Sequence, residues 1–213
     1  VIPDDQYRMY ETGNFNDVDV LIGYNSDEGA SFSFAGNDPA AHRASVEERY
    51  GPYAEALLEA YPADGPVVPK SGRDLARDAA FGWHTWSWAR LQSEKGNSKV
   101  FLYYFDQHPE YPEDSPRYGF GSPHGQDVDF VFMALKEEVC DTDFELSDIM
   151  ATYWTNFAKY GDPNGKSLPE WPEFTKDNHV TMVLKGDNPY PSAVPDEDAM
   201  WVLDSYFEWR RNQ

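Results

Sequence analysis

Two short apolar runs near the middle and the start of the chain predict buried β-strands. Residues 18–24 (VDVLIGY) and residues 99–106 (KVFLYYFD) are dominated by β-branched, aliphatic and aromatic side chains. Such runs are typical of strands that are covered on both faces, as in a parallel sheet. A further run at residues 180–184 predicts a short strand near the end of the chain.

Helical periodicity fills much of the sequence between these strands. Apolar residues recur at three- and four-residue spacing over residues 39–61, with a break at Gly51 and Pro52. Helices are also expected over residues 72–94 and 197–211. Helices that alternate with parallel-type strands predict an α/β fold with a mostly parallel central sheet.

The strongest helical stripe is rich in aromatic residues. We interpret it as a face packed into the core rather than as a cofactor surface, because its period is that of an amphipathic helix. The stripe consists of Leu146, Ile149, Met150, Tyr153, Trp154, Phe157 and Ala158.

The composition narrows the classes of partner. The 213 residues include 17 basic and 38 acidic ones, which gives a net charge of −21. Nucleic acid and anionic membranes are therefore poor partners, and anionic substrates are expected to be disfavoured. The single cysteine, Cys140, excludes an internal disulfide framework. The sequence has no metal-binding motif and no apolar run long enough for a membrane span, so we expect no cofactor and no membrane span.

Two loops carry candidate chemistry. Asp27, Glu28 and Gly29 follow the first predicted strand, and His124 lies near the end of a long loop at residues 107–125. Taken singly, each is also consistent with an acidic turn or a surface histidine. An acid after one strand and a histidine after a later one is, however, the order of the last two triad members in α/β-hydrolases.

Three segments in the same order resemble one family. The first is residues 23–32, GYNSDEGASF, and the second is residues 122–132, SPHGQDVDFVF. The third is residues 153–164, YWTNFAKYGDPN, followed by LPEWP at residues 168–172. Together they resemble type-B carboxylesterases, the cholinesterase-like branch of the α/β-hydrolase fold, over nearly the whole chain.

The resemblance implies a role for three side chains. Glu28 is implied as the acid of a Ser-His-Glu triad, His124 as its general base, and Phe32 as a residue near the substrate pocket. The reaction implied is hydrolysis of small carboxylic esters through an acyl-enzyme. Asp27 is the alternative acid, and we interpret its side chain as a turn residue that bonds its own backbone.

One departure from the family concerns the nucleophile. The chain contains no G-x-S-x-G elbow, so we expect the serine and the oxyanion hole on a missing N-terminal piece of the same enzyme. Residues 1–213 are then the C-terminal portion of a single α/β-hydrolase catalytic domain, inactive as this chain alone. Asp127 stands where the family more often has Glu, three residues after His124, and it is a candidate support for the histidine loop.

Two other functions remain open from the sequence. A cholinesterase-like binding or adhesion protein would keep the fold without catalysis, although it would not need both Glu28 and His124. A glycosidase would need a second carboxylate opposite Glu28 and would give the His124 loop no role. The compartment is not readable from the sequence, and the resemblance alone leans toward a secreted or periplasmic protein.

Overall fold

The computed structural model describes residues 3–32, 38–65, 68–136 and 140–213. The chain divides into two compact units, each assembled from three separate stretches. We call the first the sheet unit; it consists of Val1–Asn25, Thr85–Gln107 and Gly125–Val194. We call the second the helical unit; it consists of Ser26–His84, His108–His124 and Pro195–Gln213.

The sheet unit contains a four-stranded sheet in the order β1-β2-β3-β4. Its strands are β1 at Val20–Asn25, β2 at Val100–Phe105, β3 at Val180–Leu184 and β4 at Tyr190–Ala193. The pairs β1/β2 and β2/β3 are parallel, and β3/β4 is antiparallel. The predicted α/β class with a mostly parallel sheet is thereby confirmed, with one antiparallel strand added at the edge.

The helices of the sheet unit include α1 at Gln6–Glu11, α6 at Gln126–Val131 and α7 at Asp141–Tyr160. Helices α6 and α7 bury apolar side chains in the core of this unit, whereas α1 has no buried residue. The predicted aromatic stripe of α7 does face the core, because Leu146, Met150 and Tyr153 have no exposed surface. They pack in one cluster with Phe101, Phe105, Phe130, Trp171, Met182 and Leu184.

Over its described residues, the helical unit contains helices from one stretch of the chain and a further helix near the end of the chain. These are α2 at Pro39–Tyr50, α3 at Ala54–Ala60, α4 at Val68–Arg77 and α8 at Glu197–Arg211. Between α4 and α5 (Trp83–Lys95) the chain makes one π-helical turn, Asp78–Gly82. Leu57, Met200 and Leu203 are fully buried in this unit.

Several boundaries differ from the sequence prediction. The helix expected from residue 72 starts at Val68 and is interrupted by the π-turn, a tertiary feature that apolar spacing does not encode. The strand expected at residues 18–24 starts two residues later and ends one residue later, at Val20–Asn25. Neither α1 nor β4 was predicted. Strand β4 (YPSA) has no apolar run, and its proline restricts it to an edge of the sheet.

Within the described ranges, none of the helices is both long enough and apolar enough to cross a bilayer.

Candidate active site

Glu28 lies in a tight turn at the start of the helical unit. It opens a 3₁₀ turn, Glu28–Ser31, three residues after the end of β1, and only 4% of its surface is exposed. The next residue must be glycine, because a Cβ at Gly29 would lie 2.0 Å from the backbone oxygen of Arg73 in α4. The close approach of α4 therefore fixes the backbone beside the acid.

His124 meets Glu28 directly. Its Nδ1 lies 2.6 Å from Oε2 of Glu28, although the two residues are 96 positions apart in the chain. A carboxylate can only accept, so Nδ1 carries the proton and Nε2 is left as the basic nitrogen. The His124 side chain remains 49% exposed while that of Glu28 is 5% exposed. This pair can accept a proton at Nε2 and stabilise the resulting imidazolium.

Two phenylalanines border the imidazole. The ring centroid of Phe81 lies 4.9 Å from that of His124, and the ring centroid of Phe32 lies 5.3 Å from it. Phe32 is half-exposed, and it lines a cavity of about 330 Å³ in the helical unit. Phe81 was missed by the sequence analysis because it lies in the π-turn, where helical periodicity does not predict its direction.

That cavity has aromatic and cationic walls. Besides Phe32, its lining includes Tyr206 and Phe207 from α8 and the two cations Arg49 and Arg210. Two positive side chains at one cavity are a local exception in a chain whose net charge is −21.

Asp27 does not play the part that the sequence suggested. Its carboxylate makes no bond to the turn that it precedes, so that interpretation is wrong. Both of its oxygens accept instead from Nε of Arg73, at 3.1 and 3.0 Å, and Oδ2 also accepts from the backbone N–H of Gly121 at 3.1 Å. The turn is held by the backbone bond from Ala30 to Asp27, which leaves the buried carboxylate free for the guanidinium.

Asp127 supports the segment that follows His124. Its carboxylate accepts from Nδ2 of Asn25 at 3.1 Å and from the hydroxyl of Tyr103 at 2.9 Å. Both donors belong to strands of the sheet unit, so Asp127 ties the first turn of α6 to β1 and β2. Helix α6 begins two residues after His124.

A second buried ion pair contacts the segment before the acid turn, and the sequence analysis did not predict it. Arg77 donates to both oxygens of Asp78 at 2.7 Å and to the backbone oxygen of Ser26 at 3.1 Å. Asp78 is completely buried and accepts from the hydroxyl of Tyr61 at 2.6 Å. Burial raises the pKa of Asp78, and the Arg77 guanidinium offsets part of that rise.

Comparison with known proteins identifies the family. A sequence model described as the Carboxylesterase family matches residues 1–193. This chain belongs to the carboxylesterase family. The resemblance carried by the three motifs is thereby confirmed.

Individual carboxylesterases match over different lengths. Carboxylesterase 4A of Bos taurus is 34% identical over 125 residues, which cover 58% of this chain and 22% of that protein. Carboxylesterase 1C of Rattus norvegicus is 26% identical over 222 residues, covering 95% of this chain and 40% of that protein. The chain thus spans about a fifth to two fifths of the length of these curated relatives.

Solved structures show the same fold. A PNB esterase superposes with a TM-score of 0.74 at 26% identity, covering 95% of this chain and 41% of that one. EstA of Aspergillus niger gives a TM-score of 0.80 at 20% identity over 96% of this chain and 43% of that one. The fold of this carboxylesterase-family chain is that of the α/β-hydrolases.

Proposed function

We propose that this chain supplies the acid and the base of a carboxylic ester hydrolase. Glu28 is the triad acid and His124 is the general base. The observation that carries the proposal is the 2.6 Å hydrogen bond between them, made by a buried carboxylate and a half-exposed imidazole. A protein that only binds a partner has no evident need for this pair.

The chemistry follows from the two ring nitrogens. Nε2 of His124 takes the proton of a serine hydroxyl as its oxygen attacks the ester carbonyl, and Glu28 stabilises the imidazolium at Nδ1. The imidazolium then gives that proton to the alcohol oxygen as the C–O bond breaks. Water, deprotonated by the same imidazole, hydrolyses the acyl-enzyme and releases the carboxylic acid.

The serine is proposed to come from a preceding piece of the same enzyme. The chain has no G-x-S-x-G elbow and spans only part of the length of its relatives. Among the described strands, β1 pairs only with β2. Its sequence VLIGYN has no charge or proline of the kind that protects a natural edge. Residues 1–213 are then the C-terminal portion of one catalytic domain and lack turnover alone.

Phe32 is proposed to contact the substrate. It touches the imidazole ring and lines the 330 Å³ cavity. A cavity of this size is within the usual range for small-molecule sites and suits one arm of a small ester.

The test uses the complete enzyme that contains this chain, assayed with a nitrophenyl ester. His124→Ala and Glu28→Gln are each expected to lower kcat by about 10⁴-fold, because both disable one proton transfer. The double variant should be little worse than His124→Ala alone. Glu59→Gln, an exposed position on α3, is the matched control and should retain wild-type turnover.

Three results would contradict the proposal. Turnover by residues 1–213 alone would refute the need for a second piece. Full activity in both His124→Ala and Glu28→Gln would refute their catalytic roles. A complete wild-type enzyme without any esterase turnover would favour the non-catalytic binding protein instead.

A further inference from the structure

We propose that Arg73 is a positioning residue, which acts through Asp27 to hold the Glu28 turn against the His124 loop. The inference rests on the proposed function, since it concerns the geometry of the same acid–base pair. It assigns a role to the ion pair of Arg73 and Asp27, which the proposed proton transfers do not use.

The ion pair is almost completely buried between the two loops. The side chains of Arg73 and Asp27 are 10% and 5% exposed. The guanidinium donates from Nε to both oxygens of Asp27 and from Nη2 to the backbone oxygen of Gly119 at 3.0 Å. One planar cation therefore binds the residue next to Glu28 and the loop that leads to His124.

The backbone completes the junction. The N–H of Asp27 donates to the oxygen of Ser122, and the N–H of Ser122 donates to Oγ of Ser26, both at 2.9 Å. Together with Arg73 and the bond from Gly121 to Asp27, these contacts join residues 26–27 to residues 119–122. We call this arrangement the clasp.

The clasp has almost no free space. A Cβ at Gly121 would lie 2.5 Å from Oγ of Ser26 and 3.2 Å from Cβ of Asp27. The Arg73 guanidinium carbon also lies 4.0 Å from the ring centroid of Phe120, a cation–π contact within the same loop. Close packing of this kind fixes the separation of the two loops.

The clasp ends next to both proposed catalytic residues. Glu28 is one residue beyond Asp27, and His124 is two residues beyond Ser122. A shift of the loops by 1 Å at a reacting pair can cost about 10²-fold in rate. The chemistry of the guanidinium matters as well, because Lys keeps the charge but cannot bind Asp27 and Gly119 in the same planar geometry.

The experiment compares four variants of the complete enzyme: Arg73→Gln, Arg73→Lys, Asp27→Asn and the double variant Arg73→Gln/Asp27→Asn. Both oxygens of Asp27 accept, so Asn presents a donor to another donor and cannot replace it. The double variant removes both charges together. It therefore provides a folded protein for measurement even if a single unpaired buried charge prevents folding. Lys70→Gln, an exposed position on the same helix α4, is the matched control.

Two readouts are measured on each folded variant. The first is kcat and KM for a nitrophenyl ester; Arg73→Gln and the double variant should lose about 10²-fold in kcat with little change in KM. Arg73→Lys should fall between Arg73→Gln and wild type. The second is the far-downfield proton resonance of the His124 Nδ1–H donated to Glu28, which should shift or broaden in the same variants and stay unchanged in Lys70→Gln.

The two readouts separate this inference from the proposed function. If the folded Arg73 and Asp27 variants keep both the resonance and the kcat of Lys70→Gln, the positioning role is refuted. A fall in kcat with an unchanged resonance also refutes it, because the acid–base pair would then be intact. If wild type has no esterase turnover, the proposed function fails, while the resonance still decides whether the clasp holds the pair.

Discussion

Tyr61→Phe tests the buried ion pair of Arg77 and Asp78, whose arginine also bonds the backbone oxygen of Ser26. The Tyr61 hydroxyl donates a 2.6 Å hydrogen bond to Asp78, whose carboxylate has no exposed surface. The substitution keeps the ring and removes only this donor, so no large cavity forms. A hydrogen bond to a charged group contributes about 1.5–3 kcal/mol, and we expect a loss of that size in the free energy of unfolding.

The measurement is urea unfolding of the complete enzyme. Tyr118→Phe serves as control, because Tyr118 is 58% exposed and its change should be within about 0.5 kcal/mol. If Tyr61→Phe is as neutral as Tyr118→Phe, the hydrogen bond to Asp78 contributes nothing and the reasoning is refuted. Turnover at 25 °C should change little in either variant, since neither Tyr61 nor Tyr118 touches His124.

The loss of stability in Tyr61→Phe should also depend on pH, and the direction of this dependence can be predicted. Burial raises the pKa of Asp78 above its usual range, so the folded state holds that proton more tightly than the unfolded state. The contribution of this proton to stability is present below the unfolded pKa of about 3.8 and is lost as the pH rises through the raised value. Below the raised value the acceptor is neutral, and the penalty of Tyr61→Phe should shrink toward about 1 kcal/mol.

Two further predictions concern His84 and the cationic cavity. His84 packs on Trp83 and Phe207, and burial lowers its pKa. Its contribution to stability should therefore be lost as the pH falls from about 6.5 through the lowered pKa. In His84→Gln, the melting temperature should depend less on pH over this range. A curve with the wild-type slope would contradict this. Arg49 and Arg210 line the cavity, so Arg210→Gln should lower kcat/KM for an ester with a carboxylate on its acyl group by about two- to five-fold and leave a neutral ester unaffected. Equal losses for both esters would show that Arg210 does not face the substrate.

The elements that the sequence predicted well are those with strong local patterns. The run at residues 180–184 and the amphipathic segment at residues 197–211 have the bounds of β3 and α8. Hydrophobic period is a local property, and so it needs no knowledge of neighbours. The start of α4, the π-turn and β4 depend on what packs against them, and their sequences carry no periodic signal.

The candidate site divides in the same way. Glu28 and His124 were found because each lies in a motif whose residues resemble the corresponding motif of a known family. Arg73, Arg77 and Phe81 were not found, because each contacts a residue that is distant in sequence. Arg73 is 46 residues from Asp27, and a lone arginine on a helix gives no indication of its partner.

Asp27 and Glu28 bind different partners because their side chains differ in length and because different groups lie within reach of each carboxylate. Asp27 has the shorter side chain, and both of its oxygens are occupied by N–H donors from Arg73 and Gly121. Glu28 has one more methylene group, and its Oε2 reaches across to His124 Nδ1. Net charge alone does not predict the local charge around these two acids. Although the chain has a net charge of −21, Arg73 and Arg77 lie beside this turn and two more arginines line the cavity. Local pairing therefore decides which carboxylate can serve the histidine, and exchanging Asp27 and Glu28 would leave the arginine and the imidazole each facing an acid of the wrong length.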